Sequence, residues 1–220
     1  MTTPAKSNTG NDMNMKNPGW PAVLTDGDVT LRPFRRGDGP RWSRLRRDNE
    51  QWLAPWEPSP RLNWYDAHSP ASYRFVYKSY KKSARQGTSW PWAVCYRNEL
   101  VGGLTIGNII RRASGNAFAG YWIDSGHAGL GITTTALALS IDHALTVGLL
   151  HRIEVNIRPE NIPSNRVVEK LGLRREGLHE RFLYIAGAWR DHYGYAITAE
   201  EISSQSLLDR LKSHRRRTSP

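Results

Sequence analysis

The stretch YWIDSGHAGLGITTTALALSIDHAL, residues 121–145, limits the folds open to this chain more than any other. A β-like run, Tyr121-Trp122-Ile123, meets a corner studded with glycine. An apolar pattern with helical spacing follows: Leu137, Ile141, Leu145 and Gly148 fall about one turn apart. A strand that breaks through a flexible corner into a helix turns a set of backbone N–H groups outward. Here Gly129, Leu130, Gly131, Ile132, Thr133 and Thr134 would present successive free N–H groups. The two glycines allow close approach without a Cβ clash.

Three kinds of anion-binding corner can be set against this one. A P-loop needs Lys and Ser or Thr after its glycine, and no lysine lies near the corner. A dinucleotide fingerprint needs a third glycine in the first helical turn, where this chain has Thr134. The third kind wraps a pyrophosphate with backbone N–H groups alone and needs neither metal nor lysine. The segment fits that description, and equally an ordinary strand-to-helix turn.

The rest of the chain supplies elements for one α/β domain. Its 220 residues suffice to bury a core. Residues 29–36 alternate like a strand, and residues 38–56 read as one helix with Asp38 as N-cap and Pro40 in the first turn. A second helix at 69–87 has Ser69 as cap and Gly87 past its end. Strands follow at 90–97, 99–110 and 116–123. After the glycine corner and its helix come a strand at 151–158, a helix at 163–172 and a hairpin at 176–198 turning on Ala186-Gly187-Ala188. A helix near 199–212 closes the order. The predicted class is α/β (α+β): a mixed sheet with helices on its faces. Residues 1–18 read as a disordered leader, 19–212 as the domain and 213–220 as a basic tail.

Composition narrows the setting. No run of about 18 apolar residues exists and the N-terminus lacks a signal-peptide core, so a cytoplasmic protein without a membrane span is expected. The single cysteine, Cys95, fits a reducing compartment. No His or Cys spacing suggests a metal. The net charge is +11. Arg32, Arg35, Arg36, Arg41, Arg44, Arg46 and Arg47 form one cluster and Arg215, Arg216 and Arg217 another. They read either as a solvated surface or as two patches for a polyanion such as RNA or the ribosome surface.

Three segments together carry a family resemblance. They are the corner at 126–135, Asn161-x-x-Ser164 leading into VVEKLGL at 167–173, and the closing AGAWRDH at 186–192. Over residues 21–200 the chain resembles the GNAT acetyl-CoA-dependent N-acetyltransferases. WLAPWEP at 52–58 and LLHRIEVNIRPEN at 149–161 make it most similar to the branch that acetylates the N-termini of ribosomal proteins, the RimJ type. The resemblance implies the GNAT fold and acetyl-CoA as co-substrate, with no metal. It implies coenzyme contacts at Tyr121, Trp122 and Ile123, along Gly129 to Thr134, and through Asn161. A backbone N–H near Ile123 would polarise the thioester carbonyl.

The chain also departs from the family. The family corner runs Gln or Arg, two residues, Gly, one residue, Gly or Ala; these places fall at Ala128, Gly131 and Thr133, so only Gly131 matches. The glutamate base of one branch falls at Asn156 and its tyrosine acid at Val168; the hairpin glutamate of another falls at Leu183. Ser164 is left as the candidate acid to the leaving thiolate, or as the N-cap of its helix, or both. No base is assigned. Trp52, Trp56, Trp64 and Tyr65 are candidates for the acceptor groove or for the core. Strand alternation would put His179 and Arg181 on one face with Leu183, and Asp191 and His192 brace the hairpin or touch substrate.

The leading expectation is acetyl transfer, by direct attack on the thioester, to a protein N-terminal α-amine, that of a ribosomal protein first of all. One alternative is acylation of a small amine, an antibiotic or a lysine side chain. Another is a ribosome- or RNA-associated factor that keeps the fold for binding, with weak rRNA association through the basic clusters. Nothing in the sequence fixes the oligomeric state.

Overall fold

The computed structural model describes residues 17–218. Eight strands form one sheet: β1 (Leu24–Asp26), β2 (Val29–Pro33), β3 (Ser89–Tyr96), β4 (Glu99–Ile110), β5 (Asn116–Ile123), β6 (Arg152–Ile157), β7 (Arg174–Ile185) and β8 (Ala188–Thr198). Their order across the sheet is β1-β2-β3-β4-β5-β6-β8-β7. All neighbours are antiparallel except β5 and β6. That parallel pair needs a crossover, which α5 (Ile132–Thr146) supplies.

The helices divide between the faces. α1 (Gly39–Asp48), α2 (Glu50–Leu53), α3 (Trp64–Ala67) and α4 (Pro70–Arg85) come before β3. On the face of α1 and α4, Phe34, Trp42, Tyr73, Ala93 and Cys95 form a small core. On the other face α5 is buried almost all round, and Leu31, Trp92, Leu104, Leu137, Ile141 and Ile153 belong to the main core there. α6 (Ile162–Lys170), α7 (Ala199–Ile202) and α8 (Leu207–Thr218) complete the chain, and α8 packs on α5.

Local chemistry explains where elements stop. Ser69 Oγ accepts from the Ser72 N–H at 3.0 Å, which starts α4 as expected, and Gly87 follows its end at φ +69°. The turn from β3 to β4 uses Arg97 and Asn98 at positive φ.

Several expectations change. The helix predicted over 38–56 breaks at Asn49, whose amide donates to the Leu45 carbonyl and to Asp124 Oδ1 instead of continuing the helix. Asp38 precedes α1 but makes no side-chain cap there; its carboxylate takes both Nη groups of Arg32 and the Arg35 N–H. The helix near 199–212 is two helices. Asp142 on α5 accepts from the N–H groups of Leu207 and Leu208 at 2.8 and 3.0 Å and so caps a fresh start. α8 then runs to Thr218, through most of the segment read as a basic tail. β1 was not expected; it is three residues long and joined to β2 through Gly27 at φ +54°. At the other end Asn17, assigned to the leader, is buried: it donates to the Ala84 carbonyl and accepts from the Trp90 indole. Residues 1–16 of the expected leader lie outside the described residues.

The hairpin forms where predicted, but β7 bulges. His179 pairs with His192 and Leu183 with Arg190, so three residues of β7 face one of β8. His179 and Leu183 still share a face. Arg181 does not join them: it sits in the bulge at φ +49°, its N–H held by the Asp191 carboxylate.

Candidate active site

The parallel pair at the centre of the sheet is short. β5 and β6 are in register only from Asn116–Arg152 to Phe118–Glu154. Beyond that the strands part, and Tyr121 to Ile123 separate from Asn156 and Ile157. A cleft of about 1010 Å³ passes through this opening and reaches both faces of the sheet. The Asp124 N–H donates to the Val101 carbonyl on β4. By strand alternation the N–H groups of Tyr121 and Ile123 therefore point away from β4, into the opening.

The glycine corner lies at one end of the cleft. Gly129 and Gly131 have φ of +79° and +77°, the left-handed region where glycine is at ease. Gly131 is the N-cap of α5 and has no side chain to cap with. The first intrahelical bond is Thr135 N–H to the Gly131 carbonyl, so the N–H groups of Ile132, Thr133 and Thr134 precede the ladder and face the cleft with the positive end of a 15-residue helix behind them. A Cβ on Gly129 would meet nothing within 4 Å, so the space over the corner is open. The corner residues proposed from sequence line the cleft except Leu130, which is 60% exposed and points elsewhere.

What braces the corner was missed in the sequence. A family side chain is absent at Ala128, and Asn49 takes over from the broken α1–α2 helix. Its Oδ1 accepts the Ser125 N–H at 2.8 Å while its amide holds Asp124. Asp124 Oδ2 in turn bonds His127 Nδ1 at 2.7 Å. These partners are about 75 residues apart in sequence, and no local pattern announces them.

The cap expected at Ser164 is Asn161 instead. Asn161 Oδ1 accepts the Ser164 N–H, so Asn161 caps α6 and Ser164 lies within its first turn. That leaves the Ser164 hydroxyl free for Tyr121, whose phenol lies 2.8 Å away. Burial pushes the Tyr121 phenol well above its usual range, so it stays protonated.

The opposite face of the opening is aromatic. The Trp52 indole donates to the Ile123 carbonyl at 3.1 Å, which ties α2 to the strand end. Trp56 lies under the Arg158 guanidinium at 5.2 Å. Both line the cleft. Trp64 is core, its indole bonded to the Arg46 carbonyl, and Tyr65 is 62% exposed under Arg47. Arg46 is buried between the rings of Trp64 and Trp122 and makes a two-pronged pair with Glu57. Its Nη2 also lies 3.0 Å from His68 Nε2. Burial first, and then Arg46, pushes His68 down to about 4, so the ring is neutral and accepts from the guanidinium.

The profile of the acetyltransferase (GNAT) domain matches residues 28–174. The chain belongs to the GNAT acetyltransferase family. A solved structure of Mycobacterium smegmatis RimJ in complex with CoA-disulfide is 42% identical, covers 91% of this chain and 98% of that one, and superposes with a TM-score of 0.89. The [ribosomal protein uS5]-alanine N-acetyltransferase of Escherichia coli (strain K12) is 26% identical over 81% of this chain and 91% of its own. The probable N-acetyltransferase YjcK of Bacillus subtilis (strain 168) is 42% identical over 100 residues, where the match spans about half (55%) of that protein.

As a GNAT acetyltransferase the protein uses acetyl-CoA as co-substrate. The uncapped start of α5 fits a pyrophosphate, and the open space over Gly129 leaves room for it. The inward N–H groups of Tyr121 and Ile123 fit an extended amide arm and a thioester carbonyl. Among the described residues no group of three His, Cys, Asp or Glu converges on one point, and no helix is long and apolar enough to cross a membrane.

Proposed function

We propose that this protein transfers the acetyl group of acetyl-CoA to the N-terminal α-amine of a ribosomal protein in the cytoplasm. The observation that carries the reading is the lining of the acceptor half. Trp52, Pro55, Trp56, Pro58 and Pro60 form a largely apolar trough beside the Arg158 guanidinium, and among the described residues the only carboxylate in the lining is Glu57, already bonded to Arg46. A peptide brings one amine on an uncharged main chain and suits this trough. A polyamine or aminoglycoside needs several free carboxylates, which argues against the small-amine alternative. The named activity of the Escherichia coli uS5 relative supports the same acceptor class.

The residues then have these parts. Gly129 to Thr134 hold the pyrophosphate by backbone N–H groups, and the Ile123 N–H stabilises the oxyanion of the tetrahedral intermediate. The amine nitrogen bonds to the acetyl carbon, and the carbon–sulfur bond breaks. Ser164, sharing its hydrogen bond with Tyr121, gives the departing sulfur its proton. An α-amine titrates near 7.7–8.0, so roughly a tenth is neutral at pH 7, far more than for a lysine.

Weak association with rRNA also remains part of the reading, with a further cationic surface added to the two arginine clusters expected. Arg32, Arg41 and Arg46 pair with Asp38, Glu99 and Glu57, and Arg47 donates to the Tyr65 carbonyl, while Arg35, Arg36 and Arg44 of the cluster at 32–47 stay exposed. α4 also carries exposed Arg74, Lys78, Lys81, Lys82 and Arg85 and no acid. Its inner residues Val76 and Tyr80 line the cleft.

The deciding experiment compares intact masses of ribosomal proteins from cells with and without the gene. One protein lighter by a single acetyl in the deletion strain is expected. An unchanged set of masses overturns the reading.

A further inference from the structure

The acceptor face of the opening holds polar groups that the fold does not use. β6 and β8 pair Asn156 with Gly194 and Ile157 with Tyr193, and the same register carried one residue past the end of β6 sets Arg158 opposite His192. Cross-strand partners share a face, so Asn156, Arg158 and His192 all lie on one side. Arg158 fixes which side: it donates to the Pro55 carbonyl and lies over Trp56, both beyond α2 on the acceptor face. Val155 and Ile157 point the other way, into the main core. Asn156, Arg158 and His192 all line the cleft.

Two of these side chains have unmet bonding capacity. Asn156 Oδ1 is buried and accepts nothing among the described residues. A buried carbonyl oxygen without a donor is costly unless a ligand supplies one. His192 is only 2% exposed, and its Nδ1 lies 3.0 Å from the Arg190 carbonyl. A carbonyl can only accept, so Nδ1 carries the hydrogen, and in the neutral ring Nε2 is a bare lone pair. Nε2 meets no partner among the described residues. His179 packs beside both: a Cβ on Gly194 would lie 2.9 Å from its ring and 3.7 Å from Asn156 Oδ1. Phe182 stands edge-on between the two histidines, its centroid 4.9 Å from His179 and 5.9 Å from His192.

We propose that His192 is the general base of the acetyl transfer and that Asn156 Oδ1 holds the acceptor amine in place for it. This rests on the reading that the acceptor is an α-amine. Asn156 accepts one N–H of the amine. As the nitrogen bonds to the acetyl carbon and the carbon–sulfur bond breaks, a second N–H proton passes to His192 Nε2. The sulfur takes its proton from Ser164. His192 afterwards releases its proton to water, and Ser164 regains one from water through Tyr121, so each turnover moves one acetyl and leaves the protein unchanged.

The surroundings of His192 suit that part. Burial is the largest influence and lowers its pKa; Arg158, just past β6, adds to this, while the Arg190 carbonyl, Glu160 and Asp191 oppose it. Glu160 is itself paired with Arg158, and Asp191 accepts the Arg181 N–H. His179 on β7 is the remaining titratable neighbour. The ring is therefore neutral at pH 7 and ready to accept a proton.

The test uses the full chain, acetyl-CoA and a short basic peptide beginning with Ala, with rates followed from about pH 6 to about pH 9. H192Q is expected to lose about 100-fold or more in kcat while binding acetyl-CoA as wild type does. Added imidazoles should restore part of the H192A rate, more so for more basic ones, a response that a merely structural histidine does not give. N156A is expected to raise KM for the peptide about tenfold with a smaller change in kcat. H192Q within about twofold of wild type, with an unchanged pH profile, overturns the inference alone. A wild type inert toward every α-amine offered overturns the acceptor reading and this inference with it. Should both His192 variants fail to fold, the wild type decides. In the complex with CoA, adding peptide must move the ¹⁵N resonance of His192 Nε2, and a resonance that stays put overturns the proposal.

Discussion

Tyr121 and Ser164 stand hydroxyl to hydroxyl at 2.8 Å, closing the coenzyme face of the opening between β5 and α6. The contact exists because Asn161, not Ser164, caps α6 and so releases the serine hydroxyl. It pairs a phenol kept protonated by burial with the hydroxyl proposed to meet the departing sulfur.

Capping and proton donation can therefore be separated by mutation. Asn161→Ala should cost about 1 kcal/mol of stability through the lost cap. Ser164→Ala should leave stability within about 0.5 kcal/mol and lower kcat about tenfold to a hundredfold. Urea denaturation beside steady-state rates reads both. A large stability loss in Ser164→Ala with normal turnover of the folded fraction would return the serine to a structural part.

The corner should depend on Gly131 through its backbone. At φ +77° a side chain costs about 1–2 kcal/mol, and a β-branched one more. Gly131→Val is expected to abolish acetyl-CoA binding in calorimetry, in the presence or absence of EDTA. Wild-type affinity in that variant would reduce the corner to a simple turn.

Arg46 should matter for the acceptor and not for the coenzyme. Arg46→Ala removes the partner of Glu57 and the packing between Trp64 and Trp122, at a cost of about 3 kcal/mol. KM for a peptide should rise while the acetyl-CoA Kd holds. A change confined to the acetyl-CoA Kd would contradict the division of the cleft.

His68 sets an acid limit on stability. Its folded pKa of about 4 lies below its ordinary 6.5, so between these values the unfolded chain binds more protons than the folded one. Stability from this group is complete above about pH 6.5 and falls as pH drops toward 4. His192 shifts in the same direction, so the measurement is the difference between wild type and His68→Gln. The substituted chain should show a shallower loss over that window; parallel curves would refute the assignment.

The cationic face of α4 should govern any association with ribosomal particles. Reversing Lys78 and Lys82 to Glu should flatten the salt dependence of co-sedimentation, each lost phosphate contact removing about 0.7–0.9 from the log–log slope. Peptide acetylation at fixed salt should be unaffected. No co-sedimentation of wild type even at low salt would make α4 a solubility feature.

What the sequence by itself determined is whatever rests on neighbours along the chain. Alternation set β3 to β5 and the hairpin, with Ser69 and Gly87 marking the ends of α4. The glycine corner was legible because left-handed φ values at Gly129 and Gly131 and an uncapped helix start are properties of a short segment. The tertiary structure decided what rests on partners far apart in sequence. Asn49 breaks its helix because Asp124 and Ser125 are there to bond. Asp142 starts α8 from another helix, and Arg32 and Arg46 turn inward to carboxylates that charge counting does not see. The pairing of Tyr121 with Ser164, and the presence of Asn156 and His192 in the lining of one cleft, depend on two parallel strands that separate after three residue pairs. A side-chain pattern gives each strand its faces, but where two strands part is set by the helices and loops packed against them, and so is the chemistry of the space between.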